Sequence, residues 1–406
     1  MNEGVNGGGA VPFEQLRARL VEIQDALGEL GLDGWLLYDL MARNPVAGGL
    51  TGRGRLSRRY FVFLPAAGEP VAVVHGIEEA PWSDWPWRKR RYVGWRELEQ
   101  ALREVLGAAR RVAMEVSARD EVPVLDLVPA GVVELIRSLG PEVVSSGDLI
   151  TRFYSRWMPA DQASHRRAAE ILAGVARDAF RHIAAEVTAG REVREAPMRE
   201  WVLEALAARG CGVGADCIVA NGVNAADPHY APVGDGDPLR RGDLILLDLW
   251  GKESDDSVYA DQTWMAYLGS RVPARANEVW TAVRDARDAA VDFLRRRWAE
   301  GQPVQGYEVD DVTRAVIAER GFGDHFIHRT GHSIDRETHG MGPNMDNLET
   351  HETRILVPGI GFSIEPGIYI PGEIGLRSEI NVLLTEDGPE VTPSVVQEEI
   401  LTLLDD

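Results

Sequence analysis

Only two cysteines, Cys211 and Cys217, occur in the 406 residues. Two thiols cannot build a disulfide framework, and their spacing is not that of a structural metal site, so both read as small buried hydrophobes. Basic residues are also short: 43 Lys and Arg face 64 Asp and Glu, a formal net charge of -21. That balance argues against nucleic acid or an anionic membrane as the main partner. No apolar run is long enough to span a bilayer. The stretch from Met1 to Gly9 has no basic region followed by an apolar one, which sets the expectation of a cytoplasmic protein without a leader. Internal repeats are absent, as are low-complexity tracts beyond that Gly-rich start. What is present is 45% apolar and 26% charged residues, enough to bury a large core in a chain of two-domain length.

The first half alternates helix and strand signals. Phe13, Leu16, Leu20, Ile23, Leu27 and Leu30 recur every three or four residues and predict a helix, followed by a strand at Trp35 to Tyr38. Further strands are predicted at Tyr60 to Leu64, Val71 to His75 and Val112 to Val116, with a helix from Arg96 to Leu106. This is an α/β pattern. Near Trp157 it gives way to a long helix from about Asp161 through Val187, so the boundary is set between domains 1–157 and 158–406. The second domain reads as α+β. It has helices at Glu192 to Ala208, Ala276 to Trp298 and Val309 to Arg320, packed outside an antiparallel sheet.

Within those strands, polar breaks stand out. Asp248 closes the apolar run Leu244 to Leu247, and Asp261 lies in the β-rich segment Val258 to Trp264, with the polar stretch Gly251 to Ser257 between them. A hairpin would bring the two acids together. Glu365, in Phe362 to Pro366, and Glu379, in Arg377 to Val382, flank a second turn, Pro371 to Gly375. Period-2 alternation sets Phe362 and Ile364 against Ser363 and Glu365, and sets Ile380, Val382 and Leu384 against Arg377 and Glu379. Two carboxylates about 5 Å apart repel by ~3 kcal/mol at an effective dielectric of 20, so converging acids need protons or cations. Four carboxylates and His332 make a hard donor set that suits divalent Mn, Co, Fe or Zn.

The strings Thr330-Gly331-His332, Ser363-Ile364-Glu365-Pro366-Gly367 and Arg377-Ser378-Glu379, with His339 seven residues after His332, resemble the pita-bread metallopeptidases, the family of aminopeptidase P, prolidase and methionine aminopeptidase. The resemblance extends to residues 1–157, which look like the amino-terminal domain of prolidase, aminopeptidase P and creatinase. It implies a pita-bread catalytic domain preceded by a smaller α/β creatinase-like domain. It further implies five ligands, Asp248, Asp261, His332, Glu365 and Glu379, for two divalent ions, manganese first, with cobalt, zinc or iron as alternatives. His229, His328 and His339 match the family's non-ligand active-site histidines, and a homodimer is the family's usual assembly. This chain departs from the pattern at four points. Asp248 and Asp261 are two residues further apart than usual, Trp264 stands where Arg is common, Asp335 where Gly is common, and Gly340 where an acid often follows His339.

Five of nine histidines, His325, His328, His332, His339 and His351, fall within 27 residues. His325 and His351 read as ordinary hydrogen-bonded loop residues. His229 and His339 read as catalytic contacts to a substrate carbonyl and its oxyanion, and His328 as a substrate contact. Arg377 shares a strand face with Glu379, so it either braces a ligand carboxylate or meets the substrate. The segment Trp82 to Arg91, aromatic then basic, reads as a surface loop, a subunit contact or a gate over the pocket.

The activity implied is metal-assisted hydrolysis of an Xaa-Pro bond at the amino terminus of a dipeptide or short peptide, with Glu365 shuttling the proton. Two alternatives stay open. One is a small-molecule hydrolase or lyase on the same fold, like ectoine hydrolase or dimethylsulfoniopropionate lyase. The other is a non-catalytic interaction module.

Overall fold

The computed structural model describes residues 12–405. The stretch from Met1 to Gly9, read above as lacking a leader, lies outside the described residues. Among the described residues no helix is long and apolar enough to cross a membrane. The chain divides into two compact units, Met1–Tyr154 and Ser155–Asp406.

The first unit is a six-stranded mixed sheet with helices. Its elements run α1 (Pro12–Glu29), β1 (Gly34–Asp39), α2 (Pro45–Thr51), β2 (Tyr60–Pro65), β3 (Val71–His75), β4 (Arg88–Tyr92), α3 (Trp95–Leu106), β5 (Arg111–Met114), α4 (Ala130–Ser138), β6 (Glu142–Ser145) and α5 (Gly147–Phe153). Strand order is β4-β3-β2-β1-β5-β6. On α3 the buried residues Leu98, Ala101, Leu102, Val105 and Leu106 recur at helical spacing. They close one core with Leu36, Phe61, Val73 and Val112 from the strands.

The aromatic-basic segment is not simply a loop. Trp82 and Trp85 are buried, packed edge to face at 5.5 Å, and Arg88–Tyr92 forms the edge strand β4, parallel to β3. Arg90 and Arg91 pair with Glu104 and Glu79, and Lys89 donates to the Trp82 carbonyl at 2.8 Å. A basic edge strand discourages further strand pairing, which is how this run coexists with an exposed sheet edge.

Glu115, at the end of β5, is fully buried and accepts from Trp35 Nε1 at 2.6 Å, Asn44 Nδ2 at 2.8 Å and Ser146 Oγ at 3.1 Å. Burial pushes its carboxyl up to about 6 against these bonds. A folded-state pKa above the unfolded 4.5 means that the native state holds the extra proton. The stability this adds is present below pH ~4.5 and lost as pH rises through ~6, about 2 kcal/mol in all. Denaturant unfolding of the full chain should therefore show Glu115→Gln gaining on wild type by about that amount between pH ~4.5 and ~7. A stability difference independent of pH would contradict the assignment.

The second unit contains α6 (Pro159–Thr188), β7 (Val193–Arg194), α7 (Glu195–Ala208), β8 (Val213–Asn221), β9 (Pro238–Leu239), β10 (Leu244–Lys252), β11 (Ala260–Tyr267), α8 (Ala274–Ala299) and α9 (Gly306–Glu319). Strands β12 (Ser333–Ile334), β13 (Gly361–Ile364), β14 (Gly367–Ile370), β15 (Ile374–Arg377), β16 (Ile380–Thr385), β17 (Gly388–Thr392) and β18 (Leu401–Thr402) follow. Two four-stranded sheets, β18-β11-β10-β8 and β12-β13-β16-β17, are accompanied by the hairpin β14-β15. Alternation sorts each strand. Ile245, Leu247, Leu249, Ala260, Trp264 and Ala266 pack against α6 and α7, while Asp248, Trp250 and Asp261 line a cleft. Trp264 thus occupies the helix-facing side, where it leaves the polar face of β11 unchanged.

Alternation predicts the glutamates inside continuous strands, and the structure corrects this. Glu365 falls between β13 and β14, and Glu379 between β15 and β16. At Pro366 the chain has no N–H to extend the ladder. The Pro366 carbonyl instead accepts Ser378 N at 3.2 Å, and the chain exchanges partners there, from the β13-β16 pair to β14-β15. Both acids occupy joints between strand pairs.

Candidate metal centre

The two sheets meet where Asn381 replaces a missing ladder partner. Its Oδ1 accepts Asp261 N at 3.1 Å and its Nδ2 donates to Asp261 O at 2.7 Å. Beside it, Glu379 N reaches Thr263 O at 3.4 Å. Register across β10 and β11 sets Asp248 opposite Thr263 and Asp261 opposite Trp250, so the two aspartates are diagonal neighbours on one face. His332 arrives from the segment before β12. Its N–H donates to Ser363 Oγ at 2.9 Å, and its carbonyl accepts Ser363 N at 2.9 Å. A Cβ on Gly331 would lie 1.9 Å from Ser363 O, so the close approach of this segment to β13 requires glycine there.

Asp248, Asp261, His332, Glu365 and Glu379 all line one cleft of about 610 Å³, together with His229, His328, His339 and Arg377. Asp261, His332 and Glu379 each offer a ligand atom within 4.8 Å of the others. His332 Nδ1 donates to Ser333 O at 3.1 Å. Its Nε2 lone pair therefore points at carboxylate oxygens, Glu365 Oε1 at 3.4 Å and Asp261 Oδ2 at 3.6 Å. Lone pair facing lone pair is repulsive unless something positive lies between. Burial pushes His332 down to about 3, so a proton on the ring is not the remedy. Asp248 Oδ1 and Asp261 Oδ1 are buried with no hydrogen-bond partner among the described residues. Burial, then the neighbouring acids, raises Asp261 and Glu379 well above the ordinary carboxylate range. Asp248 is raised by burial and partly restored by Arg377. Orphaned oxygens, an unprotonated imidazole nitrogen and an all-hard donor set fit a divalent cation.

Each of the three guanidinium nitrogens of Arg377 makes a contact. Nη2 pairs with Asp248 Oδ2, Nε donates to Thr263 Oγ1 at 2.8 Å and Nη1 to Tyr369 OH at 3.2 Å. Thr263 Oγ1 in turn donates to Glu379 Oε2 at 2.9 Å. Of the two roles open to Arg377, bracing the acids is the one that its contacts serve. His328 is similarly engaged. Its Nδ1–H donates to Arg329 O at 2.7 Å, and its Nε2 accepts Tyr369 O–H at 2.8 Å.

His339 stacks edge to face on His332 at 4.3 Å, and burial pushes it down to about 4. Asp335 shapes its loop, accepting Glu337 N at 2.8 Å and Met341 N at 3.2 Å. A Cβ at Gly340 would lie 2.8 Å from the Asp335 carboxylate. The two departures at 335 and 340 therefore fit each other. His351 bonds Asn347 Oδ1 at 2.8 Å outside the cleft, and His325 is not among the cleft's lining residues.

Thr263, Ser363, Tyr369 and Asn381 support the acids without having been singled out in the sequence. Thr263 and Asn381 were legible as polar residues alternating into apolar strands. Tyr369 carried no such signal. Cys211 and Cys217 are buried free thiols.

The sequence profile of metallopeptidase family M24 matches residues 163–386. The probable dipeptidase PepE of Mycobacterium tuberculosis (strain ATCC 25618 / H37Rv) is 30% identical over 332 residues, 80% of each chain. The Xaa-Pro dipeptidase of Lactobacillus delbrueckii subsp. lactis is 34% identical over 173 residues, 43% of each chain. Among solved structures, dipeptidase PepE from Mycobacterium ulcerans superposes with a TM-score of 0.73 at 25% identity, over 97% of this chain and 100% of that one.

Proposed function

Because the chain belongs to metallopeptidase family M24 and has its pita-bread fold, we propose that it is a dinuclear-metal peptidase. Its substrate is the Xaa-Pro bond at the amino terminus of dipeptides or short peptides. One observation carries the reading: the four carboxylates and one imidazole of the proposed ligand set line a single cleft, where Asp248 Oδ1 and Asp261 Oδ1 are buried with no hydrogen-bond partner among the described residues. Asp248, Asp261, His332, Glu365 and Glu379 would hold two ions, manganese first. When bound, divalent ions supply Lewis acidity toward the scissile carbonyl and lower the pKa of water.

The chain's own groups do the rest. Glu365 Oε1 is anchored by the Ser363 hydroxyl at 3.1 Å, leaving Oε2 to take the proton of the attacking water and return it to the leaving nitrogen. For an Xaa-Pro bond that nitrogen carries no hydrogen, so this delivery is indispensable. His339, neutral at pH 7 because burial depresses it, donates an N–H to the developing oxyanion, with His229 beside it. Arg377 keeps the Asp248 and Glu379 arrangement in register. A creatinase-like first domain, residues 1–157, dimerisation and a cytoplasmic site of action complete the reading.

Arg329 also lines the cleft, and its guanidinium has no hydrogen-bond or ion-pair partner among the described residues. We assign it to the substrate's carboxylate. Charge-assisted bonds contribute about 1.5–3 kcal/mol. Arg329→Gln should therefore raise KM for Ala-Pro by roughly 10- to 150-fold and leave KM for the C-terminal amide of Ala-Pro unchanged. Equal effects on both would exclude the carboxylate contact.

The reading itself is tested with manganese-loaded protein, Ala-Pro, Ala-Pro-Ala and amino-acetylated Ala-Pro-Ala, the products identified by mass. Cleavage before proline in free peptides, with the acetylated one intact, is expected. If every Xaa-Pro peptide survives, the peptidase reading fails and a small-molecule reaction on this fold replaces it.

A further inference from the structure

Glu195 opens α7 and is fully buried, yet it has no lysine or arginine partner among the described residues. Four neutral donors solvate it instead. Oε1 accepts Asn221 N and Asn224 Nδ2, each at 2.9 Å. Oε2 accepts Tyr230 OH and Asp237 N, each at 2.7 Å. An unpaired buried carboxylate is costly unless its lone pairs are filled, and here they are.

All four donors flank or lie within residues 222–237, the segment that brings His229 into the cleft. The backbone adds a clamp, with Glu195 N on Asp237 O at 3.2 Å and Ala196 N on Asp235 O at 3.1 Å. Gly236, at φ +70°, leaves room that a Cβ would fill, 2.8 Å from Glu195 Oε2. On β15, Gly375 N donates to Gly222 O at 3.1 Å, and a Cβ at Gly375 would lie 1.8 Å from Ala225 O. The segment is thus wedged between α7 and β15. Tyr230, bound to Glu195, is the next residue after His229, whose ring has no hydrogen-bond partner among the described residues.

We propose that Glu195 is a positioning residue of the peptidase site, holding segment 222–237 so that the His229 imidazole faces the substrate. The inference rests on the peptidase reading and on the role of His229 in it. Glu195→Gln is nearly isosteric but turns one accepting oxygen into an NH₂ group that faces N–H or O–H donors.

The test compares wild type, Glu195→Gln, His229→Ala and the double variant as metal-replete full chains on Ala-Pro, with metal content and thermal unfolding measured alongside. Misaiming a contact group can cost on the order of 100-fold. Glu195→Gln should lower kcat by roughly 10- to 100-fold, change KM by less than about threefold and retain its metal. In the His229→Ala background it should add less than about twofold, since it acts through the missing ring. Multiplicative losses, or a single variant within about twofold of wild type, overturn the proposal. Should Glu195→Gln not fold, Tyr230→Phe removes one donor from Oε2. Its several-fold loss must likewise vanish in the His229→Ala background, and a multiplicative loss overturns the proposal. If His229→Ala alone is harmless, the role of His229 fails and this inference with it. A harmful His229→Ala combined with multiplicative Glu195→Gln sinks this inference alone.

Discussion

Glu365→Gln should fold, superimpose on wild type by circular dichroism and hydrolyse Ala-Pro roughly 10²- to 10⁴-fold more slowly, the usual loss on removing a general base. The amide keeps the shape and can keep the Ser363 hydroxyl bond, which reaches only Oε1. What it loses is the negative charge beside His332 Nε2, 3.4 Å away, and the oxygen that carries the proton. Weakened metal retention would deepen the loss, so metal content must be measured on the same sample. A variant within about threefold of wild-type turnover, metal-replete, would remove Glu365 from the mechanism.

The second large effect is expected at Asp261. Wild type, purified or reconstituted with metal, should carry about two divalent ions per chain, and Asp261→Ala should lose at least one, with turnover falling accordingly. The metal-free proteins should differ in the opposite sense. Burial and the neighbouring Asp248 and Glu365 hold the Asp261 carboxyl well above its ordinary value. A raised folded-state pKa means that the native state binds more protons, so stability falls as pH rises from the ordinary carboxylate range through the raised value. Without metal, Asp261→Asn should therefore melt above wild type at pH ~7.5. Saturating metal should reverse the order, because ligand at 1,000 times its Kd stabilises a single-site protein by about 4 kcal/mol. A wild type that binds no metal under any loading would refute the centre. So would a metal-free Asp261→Asn less stable than wild type, since the Oδ1 of Asp261, without a partner among the described residues, would then have been no burden.

Much of the secondary structure could be read from periodicity. The spacing of Leu98, Leu102 and Val105 marks α3, and the unbroken apolar run Val71 to Val74 marks β3. What resisted reading were elements whose local signal conflicts with their setting. Arg88–Tyr92 is too basic to look like a strand and becomes one because β3 offers it an edge. Ser333–Ile334 is too short for any pattern to register. Glu365 and Glu379 were visible as acids in apolar company, but the exchange of strand partners at Pro366 and Ser378 was not. That exchange is settled by which strand pair each segment hydrogen-bonds to, which no single strand's pattern records.

Composition and alternation by themselves determined that this is an acidic α+β chain with Asp248 and Asp261 on the polar faces of buried strands. Those properties are local: a side chain's face follows from its neighbours two positions away, and net charge needs no geometry at all. Only tertiary structure decided that Asp248 and Asp261 are diagonal neighbours, that Asn381 closes the gap between two sheets, that Arg377 reaches Asp248 and Thr263, and that a buried Glu195 bonds to both ends of the segment bearing His229. The first depends on the register of a hairpin, and the others on distances between segments separated by tens of residues or more. Such distances are set by which apolar faces share a core, and a linear pattern records the face but not its partner.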